Sequence, residues 1–206
     1  LVMLLGQSRV FYSMSKDGLL PKTFSEVHPK FRTPAKSNLL FMLFVSLFAA
    51  FIPGNVVGEM TSIGTLFAFI LVCIGVIVLR RKQPNAPRAF RTPLVPVVPV
   101  LGVLVCFGMM AFLPLDTWIR LLAWMMIGLD VYLARGIMKS NINAGASTQQ
   151  RQKSFRITSI TGVVLTLLLV AVGALHYHNT EGADMGIIIF TIVMVIFHVI
   201  FYEVIP

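Results

Sequence analysis

The chain has 206 residues, of which 57% are hydrophobic and only 12% charged, and it carries a net charge of +9. The charged share is about half that of a soluble globular domain, and a water-soluble fold of this composition would expose large apolar patches, so that class is excluded. The positive charge does not describe a nucleic-acid surface, because the basic residues sit in short clusters between long apolar runs, where no continuous basic face forms.

The opening stretch, LVMLLG, is too short to span a bilayer. It has no basic n-region and no small-residue cleavage site, so it does not read as a signal peptide. It reads as the tail of a helix that begins before residue 1, and the chain as the C-terminal portion of a longer protein. A spanning helix needs roughly 20 apolar residues. Six runs meet or approach that length: Ser37–Pro53, Ile63–Leu79, Leu94–Leu115, Thr117–Ala134, Ile157–Leu175 and Met185–Tyr202. None shows the period-two alternation of a membrane barrel. Helices satisfy their own backbone hydrogen bonds, which lipid cannot do. The expected fold is therefore all-α, a polytopic transmembrane helix bundle.

Local signals mark the helix ends. Pro34 precedes the first full span and Pro53-Gly54 closes it. Arg80-Arg81-Lys82 stops the second span. The prolines of Pro93-Leu-Val-Pro96-Val-Val-Pro99 belong in a first turn and not in a helix middle, so the third span is expected to become regular near Pro99. The polar stretch Lys139–Ser154 (KSNINAGASTQQRQKS) reads as a flexible linker. It divides the chain into a core portion at 1–136, a cytoplasmic linker at 137–156 and an accessory transmembrane hairpin at 157–206.

Charge sets the expected orientation. Six basic residues fall between Arg9 and Lys36, five between Arg80 and Arg91, and five between Arg135 and Arg156. Only Arg120 lies in the alternate connections. By the positive-inside rule the basic segments are cytoplasmic, and the C-terminus ends on that side too. Cys73 and Cys106 lie inside apolar runs and read as packing residues, not as a disulfide.

Few groups are placed for chemistry. Asp130 is an ionisable residue within the fourth full span, a functional candidate by default. It also lies five residues before Arg135, near enough to the cytoplasmic end to snorkel. His198 in the last span reads first as a histidine paired to a neighbouring helix, with a proton relay as the alternative. His176, His178, Glu181 and Asp184 have no diagnostic metal spacing, so no metal site is expected. No nucleophile–base arrangement, phosphate-cradling glycine loop or catalytic carboxylate pair is present in the sequence, so no enzyme activity and no cofactor are expected.

The most specific segment is GQSRVFYSMSKDGLLPKTFSEVHPKFRTP, Gly6–Pro34. Gly18 and Pro21 end a helix there, and Asp17 offsets the neighbouring positive charge. Taken whole, the segment resembles the end of the eighth helix and the following loop of amino-acid permeases of the amino acid–polyamine–organocation superfamily, in particular the cationic amino acid transporter group. The pattern R-x-F/Y-Y-S-M-S/A-K/R-D-G-x-L-P is matched by Arg9–Pro21, and V-H-P-K-F-x-T-P by Val27–Pro34. Ile63–Arg81 is similar to the tenth helix, and Phe90–Leu104 to the start of the eleventh.

The resemblance implies the C-terminal part of an inverted-repeat transporter fold. Substrate is then held near the membrane midplane by unwound parts of the first and sixth helices, which would precede residue 1. It implies secondary transport of an amino acid by alternating access, coupled to H⁺ or Na⁺, in a cell membrane, with the cationic amino acids as one substrate option. The chain's partners would be that substrate, the lipid bilayer and the upstream helices. Ser62, Gly64, Thr65 and Ala68 are the candidates for lining a substrate path, with simple packing as the alternative reading. Arg9 and Asp17 are the candidates for a cytoplasmic gate. The rival functions are a non-transporting membrane scaffold or subunit and a membrane-embedded enzyme.

Overall fold

The computed structural model describes residues 2–30, 32–87, 94–137, 147–181 and 184–204. All regular structure among them is helical: α1 (Val2–Lys16), α2 (Ala35–Phe51), α3 (Gly54–Lys82), α4 (Val97–Ala111), α5 (Leu115–Val131), α6 (Thr148–Thr180) and α7 (Met185–Val204). A short 3₁₀ turn, Lys22–Phe24, lies between α1 and α2, and a π-turn, Tyr132–Gly136, continues α5. Three helices are long and apolar enough to cross a membrane: α3, α5 with its π-turn to Ala134, and α6. Apolar side chains such as Leu43, Leu104, Phe112, Leu167 and Ile196 stand exposed along the helices, as they must where the solvent is lipid.

Several boundaries differ from the sequence reading. Helix α3 begins at Gly54, directly after Pro53, so the stretch 54–62, which falls between the first two expected spans, is helix and not a connection. Nothing in Asn55–Ser62 breaks a helix, and apolarity alone underestimates a helix whose first turns are polar. Helix α4 is regular from Val97, in keeping with the expected start near Pro99, because a proline in the first turn forfeits no intrahelical bond. The second half of the expected linker is helical. Ser147 caps α6 by accepting from Gln150 N at 3.3 Å, while Ser147 N donates to Gln150 Oε1 at 3.0 Å, a reciprocal box that starts a helix even in a polar sequence. The earlier part of that linker, residues 138–146, and the Arg88–Thr92 stretch lie outside the described residues. Helix α6 also runs on to Thr180, which places His176 and His178 on a helix, and it ends at Glu181 in the left-handed region (φ 49°).

The described residues form two compact units, 54–121 and 1–53 with 122–206. In the first, α3 packs on α4 around Ile63, Ile70 and Met110, with Leu66, Phe67, Val103, Cys106, Leu113, Trp118 and Leu121 against them. A Cβ at Gly102 would stand 2.8 Å from Cys73 Sγ, so a side chain at residue 102 would force the Cys73 thiol to move. Trp118 Nε1 donates to Met110 O at 3.2 Å, a carbonyl in the last turn of α4 that also accepts from Leu113 N at 3.0 Å.

In the second unit, α1 and α2 meet through Phe11, Phe24 and Phe41. The Phe11 and Phe41 rings pack edge-on at 4.7 Å and Phe24 closes the triangle at 5.6 and 6.2 Å. Helix α6 buries Thr158, Gly162, Leu165, Leu169 and His176, spacings of four, three, four and seven that draw one seam along a helix. Helix α7 buries Thr191 and His198, one heptad apart. The two helices pack together, and a Cβ at Gly173 would lie 3.0 Å from Thr191 Cγ2.

Candidate functional site

The motif-rich segment folds into an ordered connection between α1 and α2. Leu19 N donates to Met14 O at 2.9 Å and Gly18 N to Ser15 O at 3.1 Å, with Gly18 at φ 81°. This is a Schellman stop, and the left-handed residue it requires is glycine for want of a Cβ clash. Ser15 Oγ then donates to Pro21 O at 2.7 Å, tying the loop back to the helix it leaves. Further on, His28 N donates to Thr33 O and Arg32 N to His28 O, both at 2.9 Å. Lys36 and Glu26 pair at 2.5 Å on the surface. Lys16 Nζ sits 5.6 Å from the centre of the Tyr12 ring, a cation–π distance.

The two gate candidates both precede this stop, Arg9 within α1 and Asp17 just after its last residue. Arg9 and Asp17 are both exposed, and among the described residues neither has an ion-pair partner. They stand eight positions apart and the structure does not bring them together.

The path candidates sit on α3. Ser62, Thr65 and Ala68 are exposed and Gly64 is half-buried, whereas Ile63 and Ile70 of the same helix are buried against α4. A Cβ at Gly64 would meet nothing within 4 Å. The four residues therefore share an uncovered face of α3. Its hydroxyls already donate within the helix: Ser62 Oγ to Gly58 O at 2.9 Å, Thr65 Oγ1 to Thr61 O at 2.7 Å, and Thr61 Oγ1 to Val57 O at 2.8 Å. Their donors are committed and their lone pairs face outward, so this face accepts hydrogen bonds and does not offer them.

Two polar contacts join residues that sequence reasoning kept apart. Within residues 54–121, Arg120 Nη2 lies 2.6 Å from Asp116 Oδ2 and Nη1 lies 3.5 Å from Glu59 Oε2, while Thr117 Oγ1 donates to the same Glu59 oxygen at 2.9 Å. Arg120 thus joins the first two turns of α3 to those of α5. The only hint of this in the sequence was that Arg120 stands apart from the three clusters that hold the other basic residues.

Asp130 and His198 form the second contact. Asp130 Oδ1 lies 2.8 Å from His198 Nδ1, and both side chains are about 4% exposed. Asp130 does not snorkel to an interface, because its carboxylate is buried against an imidazole on another helix. His176 Nε2 reaches Asp184 Oδ2 at 3.6 Å across the turn between α6 and α7. Among the described residues no three metal-ligating side chains cluster.

Apolar helices of membrane length, with lipid-type exposure outside and polar contacts inside, define a polytopic α-helical membrane protein. The sequence profile of the amino acid permease family matches residues 1–131, and the chain belongs to that family. It is 43% identical over 143 residues to the branched-chain amino acid permease BcaP of Bacillus subtilis, an alignment covering 69% of this chain and 31% of the relative. It is 38% identical over 143 residues to the methylthioribose transporter of the same organism, with the same coverage of each. It is 42% identical over 82 residues to the vacuolar cationic amino acid transporter 4 of Arabidopsis thaliana, covering 40% of this chain and 14% of the relative. The chain spans less than a third of the length of these relatives.

Proposed function

We propose that this chain supplies the later helices of a secondary transporter that carries amino acids across a cell membrane by alternating access, driven by an H⁺ or Na⁺ gradient. The observation that carries the reading is the family match over residues 1–131, on a chain with three helices able to span a bilayer. Relatives named for branched-chain and cationic amino acids support an amino-acid substrate. The relative named for methylthioribose, matched over an equal length, makes that sugar a second candidate. The principal substrate clamp belongs to helices preceding residue 1, and this chain contributes the hydroxyl-bearing face of α3 to the path and Arg9 and Asp17 to its cytoplasmic rim.

Uptake of labelled leucine, lysine and methylthioribose by cells expressing the full-length protein tests the substrate. Saturable uptake of an amino acid, competed by other amino acids, is expected. Uptake of methylthioribose alone would replace the amino-acid reading, and no uptake of any of the three would favour a scaffold role.

The proposed orientation places the basic segments in the cytoplasm. Thr148 and Thr180 are the first and last residues of α6, about 48 Å apart at 1.5 Å per residue. Single cysteines at these positions, in a background lacking Cys73 and Cys106, should react with an impermeant reagent in intact cells at Thr180 only. Labelling at Thr148 with protection at Thr180 would invert the orientation.

A further inference from the structure

Asp130 stands at the end of α5, in the last turn before the helix widens into the π-turn Tyr132–Gly136. Asp130 and His198 are each 3% exposed, although α7 is otherwise rich in exposed apolar side chains such as Ile192, Ile196 and Ile200. Asp130 Oδ2 makes no hydrogen bond among the described residues, so the contact with His198 is what compensates the carboxylate. A buried carboxylate without a counter-charge is among the costliest groups a helix in lipid can carry. An aspartate and a histidine that share one proton are neutral together, whether the proton sits on the imidazole or on the carboxyl. Such a pair can remain in a low-dielectric seam where either group alone could not.

The position of the contact gives it a consequence. His198 lies one heptad from Thr191, which packs at Gly173 of α6. The α6–α7 pair is therefore joined to α5 through the same α7 seam that holds it together. Two apolar helices surrounded by lipid gain little hydrophobic free energy from docking on a third, since lipid tails are as apolar as leucine. A charge-compensating contact that exists only when the hairpin is in place supplies the missing preference.

We propose that Asp130 and His198 form a net-neutral clasp that fastens the α6–α7 hairpin to α5, making the hairpin an integral part of the helix bundle. This reading concerns docking and stands whether or not the transport proposal holds.

The test uses the full-length protein with a protease site inserted between residues 140 and 146 and an affinity tag following α7. After cleavage in the membrane and mild solubilisation, the tagged hairpin should recover the upstream part. Asp130→His places two imidazoles in the seam and His198→Asp places two carboxylates there. Each exchange should lower that recovery at least fivefold. Asp130→Asn, which keeps the shape and removes the charge, should lower it in the same direction and guards against an exchange that prevents accumulation of the protein. The double variant Asp130→His with His198→Asp restores the pair with its partners exchanged and should bring recovery to within about twofold of the parent. Parental recovery in the single variants overturns the clasp. So does a double variant that recovers no more than the poorer single one.

Discussion

Helices α3 and α4 bury large apolar side chains against each other, Ile63, Ile70 and Met110 at the centre. Helices α6 and α7 bury a different set, in which Thr158, Gly162, His176, Thr191 and His198 outnumber the leucines at 165 and 169. The polar contacts differ in the same sense. Those of residues 54–121 lie at the helix ends and remain partly open, Arg120 at 16% and Glu59 at 32% exposure, whereas the Asp130–His198 pair is closed from solvent. In lipid, apolar packing between helices gains dispersion and shape but little transfer free energy. A helix pair can then hold by close interlocking of bulky groups, as α3 and α4 do, or by small and hydroxyl-bearing residues, as α6 and α7 do, with the Asp130–His198 pair linking α7 to α5. The first solution is sensitive to volume and the second to charge.

The charge exchanges at Asp130 and His198 are the strongest way to break this contrast, since they should detach one helix pair and leave the other in place. The volume side comes next. Gly102→Leu would drive a side chain into Cys73, whose sulfur already lies 2.8 Å from the position of a Cβ, and should cost about 1–3 kcal/mol. A lowered thermal midpoint of the detergent-solubilised full-length protein would show it. Gly102→Ala should cost less, and Cys73→Ala in the same chain should relieve that smaller loss. If Gly102→Leu melts with the parent, close packing is not what holds α3 to α4.

The smallest effects belong to the helix-end charges. Removing the Glu59 carboxylate by Glu59→Gln leaves Arg120 with Asp116, and partly exposed pairs of this kind contribute about 0–1 kcal/mol. The more open Lys36–Glu26 pair, at 66% and 52% exposure, should contribute less again. Double-mutant cycles on thermal midpoints should rank Glu59–Arg120 above Glu26–Lys36, and the reverse order would deny that burial sets the worth of these contacts.

Much of the architecture was legible before any coordinates. Composition fixes the solvent, because 57% hydrophobic residues cannot be hidden in water. The Lys16-Asp17-Gly18 stop was readable because it is local, a glycine where the chain must turn left-handed. Polar helix ends were not legible. Gly54–Ser62 and Thr148–Ser154 are helical although neither is apolar, since hydropathy reports burial in lipid and not helicity.

The sequence by itself determined that this is an all-helical membrane protein and placed its basic clusters and several helix stops, for these depend on side-chain solvation and on backbone geometry within a few residues. Only the tertiary structure decided that Ser62, Thr65 and Ala68 share an uncovered face, that Arg120 joins Glu59 to Asp116, and that Asp130 answers to His198. A charge in an apolar run reads alike from the sequence whether it reaches for the interface or faces a partner. Which of the two occurs depends on how distant helices pack, and no local pattern records that.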